Sequence, residues 1–403
     1  SERVLDRYFL PDGREPGKPY RLLPMYRQYV SSERQSVTVL ANFVEVFLAK
    51  EGHDGMVGIN LLTKVQLPTL ASLYGAMLAG VDCVLMGAGI PREIPGALDA
   101  LSLHHLATLR FDVEEMPAGE VLHLTFDPAE LGIGELAPLK RPAFFPIVSA
   151  TSLATTLARK ANGTVEGFIV EGPTAGGHNA PPRGEPRFND RGEPLYGDRD
   201  VVDTEKMRAL GLPFWIAGGA GSPQRLSEAL AAGANGIQVG TLFAFCEESG
   251  FADLIKRDVL GHAVHGEVDV RTDPLASPTG YPFKVVTWAG DSSQHVRERK
   301  CDLGYLRIAY RRDDGRVDYR CAAEPVADYV RKGGLEADTV GRKCLCNALT
   351  ANIGQAQPRA GTEDEPPLVT SGDDLTTIGS FLNGRDTYTA DDVLDYLLTP
   401  VTA

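Results

Sequence analysis

Gly167-Phe168-Ile169-Val170-Glu171-Gly172-Pro173-Thr174-Ala175-Gly176-Gly177-His178 sets the architecture of this chain. Phe168-Ile169-Val170 is an apolar run short enough for a fully buried strand. It breaks at Glu171-Gly172-Pro173 and becomes Gly176-Gly177, a backbone that can approach a ligand closely. His178 follows at once, and histidine is the side chain best suited to proton transfer near neutral pH. A buried strand that delivers glycines and one histidine to its C-terminal end is how an α/β barrel builds an active site. Taken alone, the same residues read equally well as an ordinary loop after a strand, so the neighbouring segments carry the weight.

Downstream, Pro213 to Ala217 reads as a strand ending in Gly218-Gly219-Ala220-Gly221, with a helix from Pro223 to Ala232. Ala234 to Val239 is the next strand and ends in Gly240-Thr241. Upstream, Met56 to Leu62 is a buried-strand run with the polar Asn60 near its end, followed by a helix from about Leu67 to Ala79. Val81 to Met86 and Ala143 to Ser149 are further buried strands, and Thr151 to Lys160 a helix. Leu106 to Val113 and Glu120 to Phe126 read as short strands. Strand–helix alternation with short connections implies a parallel α/β fold, and the Val, Ile, Ala and Gly content of the strands suits a barrel. In such barrels the loops after the last two strands commonly bind a phosphate, because glycine N–H groups and a helix N-terminus converge on it. Two glycine clusters on consecutive strands, with Gly176-Gly177-His178 one strand earlier, favour a phosphate-bearing cofactor.

The chain has 403 residues and a formal net charge of −14. That acidity argues against nucleic acid and anionic membrane as partners. The sequence holds no apolar run near the roughly 20 residues that span a bilayer. Six cysteines in a chain of this length do not suggest a disulfide scaffold, so a reducing cytoplasm is the expected setting. Cys301, Cys321, Cys344 and Cys346 fall late in the chain without a common zinc spacing and read as thiols; no metal site is expected. Residues 1–36 read as an irregular lead-in with one short helix, 37–262 as the barrel body, and 263–403 as a C-terminal α+β extension. Within the extension, Asp313-Asp314-Gly315 reads as a hairpin turn, Ala356 to Glu365 as a surface loop, and Ala390 to Leu398 as a helix capped by Thr389. Asn179 to Asp203 has no apolar pattern and reads as a long loop at the catalytic edge.

The runs Ala175 to His178, Trp215 to Gly221 and Gly236 to Thr241, with Val57 to Asn60 on the earlier strand, resemble the nitronate monooxygenase family, formerly the 2-nitropropane dioxygenases. That family includes flavin-dependent enoyl-acyl-carrier-protein reductases. The resemblance covers roughly residues 55 to 245 and implies an FMN-binding (β/α)8 TIM-type barrel. It implies His178 as catalytic base. It places Asn60, Glu171, Gly176, Gly177, Gly218, Gly219, Gln238, Val239, Gly240 and Thr241 at the FMN, with Gly219, Gly240 and Thr241 at the phosphate and Asn60 facing the flavin ring. Two departures stand out. Glu171 replaces the family's usual Gln, and a carboxylate there disfavours an anionic reduced flavin unless it is protonated or turned away. The family's first strand, with its Pro-Met-Ala-Gly-like segment, and its second βα unit have no counterpart before Met56. The first two βα units are therefore expected upstream of Ser1 or on a separate polypeptide. Alternatively, Arg21 to Tyr29 and the residues after it replace them in divergent form.

The resemblance implies an FMN-dependent oxidoreductase that oxidises nitroalkanes or nitronates with O2. The alternative is an FMN- and NAD(P)H-dependent enoyl reductase of fatty-acid or polyketide synthesis, with an enoyl thioester substrate, His178 as proton donor and an acyl carrier protein as partner. In that alternative Arg183, Arg187, Arg191 and Arg199 of the long loop either receive a phosphorylated partner or simply face solvent. A third reading is a barrel that binds flavin without turnover. A homodimer is the oligomeric state considered.

Overall fold

In the computed structural model, residues 2–15, 17–295, 297–359 and 364–401 are described. Two compact units emerge. One comprises residues 1–147, 152–167 and 303–321, the other residues 148–151, 168–302 and 322–403.

In the first unit, Gly58–Leu62 pairs in parallel with Cys83–Gly87, and Cys83–Gly87 with Ala143–Val148. Each strand leads to a helix: Thr69–Leu78, Ile94–Ser102 and Thr151–Lys160. Thr69–Leu78 is buried along almost its whole length, so an apolar sequence without amphipathic alternation forms a core helix. Gly75 packs directly on the backbone of Ser32–Ala49: a Cβ there would lie 2.2 Å from the Val39 carbonyl oxygen. Asp82, at the head of its strand, accepts from Lys50 Nζ (2.5 Å), Val57 N–H (3.0 Å) and Lys140 Nζ (3.2 Å). These donors, Lys50 foremost, hold its carboxyl well below the usual carboxylate range. The predicted strands before and after residue 117 form an antiparallel pair, Ala107–Phe111 with Leu122–Phe126. The extension adds a hairpin to this unit, Ile308–Arg311 with Val317–Arg320, turning through Asp313-Asp314-Gly315 as the sequence predicts.

In the second unit, Phe168–Glu171 pairs in parallel with Phe214–Ala217, and Phe214–Ala217 with Gly236–Gln238. Phe168, Ile169 and Val170 are all buried, as expected for a parallel strand covered on both faces. The following segments supply the helices Thr204–Arg208, Pro223–Ala231 and, after Gly236–Gln238, Thr241–Ala244 and Asp253–Val264. The described residues thus hold six parallel strands with their helices, three in each unit. This is the α/β repeat of a TIM-type barrel, two strands short of eight. The extension shares the second unit's core: Val369, Leu375, Ile378, Phe381 and Tyr388 pack with Leu242, Phe245, Val259 and Leu260. Ala390–Leu397 is the predicted last helix, and Thr389 caps it by accepting from Asp392 N–H.

Residues 360–363 of the predicted surface loop lie outside the described set. At its end, Glu365 is buried and pairs with Arg297. A surface loop is not what ends there, because a buried carboxylate is tolerated only with such a partner. Cys246, Cys321 and Cys344 are buried, and all six cysteines are thiols. Among the described residues no helix is long and apolar enough to cross a membrane.

The Gly75 contact decides between two opposing effects. Gly75→Ala gains roughly 1 kcal/mol of helix propensity, but overpacking against a fixed backbone costs about 1–3 kcal/mol. The variant is expected to unfold at lower urea than the wild type. A raised midpoint would show that the two helices separate freely.

Candidate functional site

The C-terminal ends of the three parallel strands of the second unit converge on one segment of the extension, Thr370 to Asp374. Gly177 N–H donates to Thr370 Oγ1 (2.8 Å). Gly372 N–H donates to Thr241 Oγ1 (3.1 Å) and Asp373 N–H to the Thr174 carbonyl (3.0 Å). Gly221 N–H donates to Asp374 Oδ2 (3.2 Å). Two glycines make this fit. A Cβ on Gly176 would lie 2.8 Å from the Ser371 carbonyl carbon, and one on Gly372 2.9 Å from both the Thr174 carbonyl oxygen and Thr241 Oγ1. The buried Lys284 ammonium anchors Asp373 at 2.5 Å.

The glycine stations themselves are strained in the way only glycine accepts. Gly218 and Gly219 take positive φ of 85° and 63° in succession. This turns the chain out of Phe214–Ala217 and into the helix Pro223–Ala231, whose N-cap is Ser222. Among the described residues no backbone acceptor meets the N–H groups of Gly219, Gly240 and Thr241. Nothing lies within 4 Å of where a Gly240 Cβ would project. Backbone N–H groups left unpaired beside a helix N-terminus form an anion cradle. Asp374 already holds the neighbouring Gly221 N–H; burial raises the pKa of its carboxyl, with Asp373 adding to the rise.

His178 sits on the other side of Gly176-Gly177. Its backbone is clipped to a second part of the extension: Asn179 N–H donates to the Pro282 carbonyl and Lys284 N–H to the Gly177 carbonyl, each at 2.9 Å. Nε2 lies 2.7 Å from Ser277 Oγ, and the ring stands edge-on to Phe283 with centroids 4.8 Å apart. Ser277 is fully buried, and its hydroxyl lies 2.8 Å from Thr279 Oγ1. Asn179, also buried, donates to the Ala175 carbonyl, while its Oδ1 meets no partner among the described residues. One strand position before the glycines, the Glu171 carboxyl is densely enclosed although part of the residue remains accessible. Burial raises its pKa to about 7.

The remaining predicted residues fall as follows. Gln238 ends its strand opposite Ala217, and the Val239 side chain packs on the hydrophobic core, leaving its backbone toward the turn. Asn60 is an exposed residue of Gly58–Leu62 in the first unit. In the long loop, Arg183 donates to the carbonyls of Arg199 and Ser149, and Arg191 pairs with Asp269 at 2.5 Å. Both arginines are therefore committed within the unit. Sequence reasoning missed Lys284 and Thr370 to Asp374, whereas Ser277 to Phe283 reads from the sequence as a rigid turn, either closing over the flavin or purely structural. Ser371-Gly372-Asp373-Asp374 carries the same small-residue signature as the other stations, but it stands some 130 residues downstream of Thr241 and follows no βα unit.

Residues 121–271 match the family model for nitronate monooxygenase. A nitronate monooxygenase from Paraburkholderia phytofirmans is 31% identical over 160 residues, 39% of this chain and 40% of that protein; the match spans about two fifths of the relative's length. Among solved structures, FabK from Thermotoga maritima is similar at 16% identity and a TM-score of 0.47, covering 90% of this chain and 87% of that one. Nitroalkane oxidase from Streptomyces ansochromogenes is similar at 15% identity and 0.42, covering 93% and 77%. The enoyl reductase domain of MlnA from Bacillus amyloliquefaciens is similar at 10% identity and 0.46, covering 91% and 85%. The fold class rests on the parallel βα units rather than on these distant likenesses. Residues 121–271, the stretch that matches the nitronate monooxygenase model, carry His178 and the glycine stations after the last two parallel strands.

Proposed function

We propose that the chain is an FMN-dependent oxidoreductase of the nitronate monooxygenase type, with His178 as its base. The observation that carries this is a buttressed histidine in the same unit as the N–H groups of Gly219, Gly240 and Thr241, which meet no backbone acceptor among the described residues. Those groups suit a phosphate, and the buried, unpartnered Asn179 Oδ1 marks a further polar group turned toward an unfilled role. In this reading Gly219, Gly240 and Thr241 hold the FMN phosphate. Gly176, Gly177, Gly218, Gln238 and the Val239 backbone line the cofactor. FMN, when bound, supplies the electron acceptor that O2 regenerates.

The protein's own task is proton transfer. Ser277 Oγ accepts from Thr279 N–H (3.2 Å) and can donate its proton to Thr279 Oγ1. His178 Nε2 meets the Ser277 oxygen at 2.7 Å, which fixes the orientation of the ring. In that orientation the imidazole removes the α-proton of a nitroalkane, leaving the electron pair in the nitronate. Ser277 is thus a positioning residue that fixes ring orientation. Glu171 answers the charge problem posed by its replacement of Gln: with its pKa raised to about 7, it is largely uncharged below neutrality and does not oppose negative charge on a reduced cofactor.

Anaerobic stopped-flow absorbance tests the reaction. A propionate nitronate should bleach the flavin band while NADPH should not. Bleaching by NADPH, with reoxidation by a crotonyl thioester, would instead establish the enoyl reductase. His178→Asn should lower kcat/KM for nitroethane about 10²–10⁴-fold, with a smaller loss for preformed nitronate. Ser277→Ala should shift the pH profile of kcat/KM as well as lower it, whereas a purely structural serine would leave the profile in place.

Glu171 also sets a pH dependence of stability. Its native pKa lies above the ordinary 4.5, so its contribution is complete below about 4.5 and is lost as pH rises through about 7. Glu171→Gln should match the wild type near pH 4.5 and exceed it at pH 8, by at most roughly 3 kcal/mol. Melting temperatures measured across that range would show the curves diverging; parallel curves would refute the assignment.

A further inference from the structure

A carboxylate stands beside the donor set assigned above to a phosphate. Asp374 Oδ2 accepts from Gly221 N–H at 3.2 Å, and Oδ1 lies 3.6 Å from where a Gly219 Cβ would project. Gly221 permits this approach, since a Cβ there would come within 2.8 Å of Oδ2. The next residue, Ser222, is the N-cap of the nine-residue helix Pro223–Ala231. Asp374 therefore already uses one N–H of the turn, at the positive end of a helix.

The backbone holds the carboxylate in place. On one side, Asp373 is anchored by Lys284 and donates its N–H to the Thr174 carbonyl. On the other, Leu375 is fully buried in the hydrophobic core. Lys284 compensates Asp373, but among the described residues no cation lies within ion-pair distance of Asp374. The charged groups that act on Asp374 are Asp373 on its own segment and Arg225 on Pro223–Ala231, in opposite directions. The Tyr396 phenol of Ala390–Leu397 also feels its charge. Burial outweighs these influences and favours the neutral acid.

An anion cradle and an uncompensated carboxylate at its edge oppose each other. A proton resolves the conflict: the acid loses its negative charge and gains an O–H that can donate to a phosphate oxygen. We propose that Asp374 is a protonation gate on the cofactor cradle, competing with a phosphate as the carboxylate and admitting it as the acid. The proposal rests on the reading of Gly219, Gly240 and Thr241 as a phosphate cradle. Its consequence is proton uptake on binding. A phosphate nearby raises the pKa of Asp374 above its value in the free protein. Affinity is therefore greatest below the free-protein pKa, falls about tenfold per pH unit above it, and levels off above the pKa of the complex.

Flavin fluorescence quenching on the full chain tests the gate, with FMN and riboflavin titrated at about pH 5.5 and about pH 8, either side of the phosphate's second ionisation near 6. The ratio of FMN to riboflavin affinity isolates the phosphate. Asp374→Asn keeps an oxygen for Gly221 N–H and removes only the titration of the gate. At the higher pH the variant's ratio should exceed that of the wild type by about tenfold or more, and the gap should narrow at the lower pH. Calorimetry near neutrality in two buffers of different ionisation enthalpy should show the wild type taking up as much as about one proton more than the variant on binding FMN. Equal proton uptake, or a gap between the two proteins that does not change with pH, would overturn the gate. A large ratio that the variant leaves unaltered would overturn the gate and leave the cradle reading standing. A ratio near one in both proteins at both pH values would overturn the cradle reading and the gate with it.

Discussion

The seating of Thr370 to Asp374 among the strand ends is the constraint on which the candidate site depends. Gly176 and Gly372 approach so closely that neither position has room for a Cβ. The hydrogen bonds that follow, from Gly372 to Thr241, from Asp373 to Thr174 and from Gly177 to Thr370, tie together the ends of strands that stand far apart in sequence. An isolated glycine-rich turn is conformationally loose. Here a segment whose own side chains Val369 and Leu375 are rooted in the hydrophobic core makes the turns rigid. Preorganised N–H groups are what an anion site requires, since they need no rearrangement when the charge arrives.

The extension therefore contributes to the site as well as to the core. It supplies Ser277 to the histidine, Lys284 to Asp373, and the Pro282 and Phe283 backbone to the loop carrying His178. The 2.7 Å contact between Nε2 and Ser277 matters because an imidazole can act as a base only in one tautomer at a time, and its hydrogen-bond partner selects which.

Much of this was legible in sequence. Phe168-Ile169-Val170 announced a buried parallel strand because three consecutive apolar residues have no other comfortable place, and the structure buries all three. Gly218-Gly219 announced a sharp exit because no other residue accepts two successive positive φ angles readily. Thr389 announced a helix start because its hydroxyl serves the third N–H. The role of Thr370 to Asp374 was not legible. Hydrophobic periodicity reports local structure, and nothing local distinguishes a glycine turn that closes a site from one on the surface. Glu365 failed for a related reason: it stands in a polar run, and only its distant partner Arg297 explains its burial.

The central claim is that the N–H groups of Gly219, Gly240 and Thr241 form a phosphate cradle for a flavin. Comparing the affinities of FMN and riboflavin by fluorescence quenching tests it most directly, because the two differ only in the phosphate. Charge-assisted hydrogen bonds of about 1.5–3 kcal/mol each predict that FMN binds at least 100-fold more tightly. Equal affinities, or no binding of either, would contradict the account.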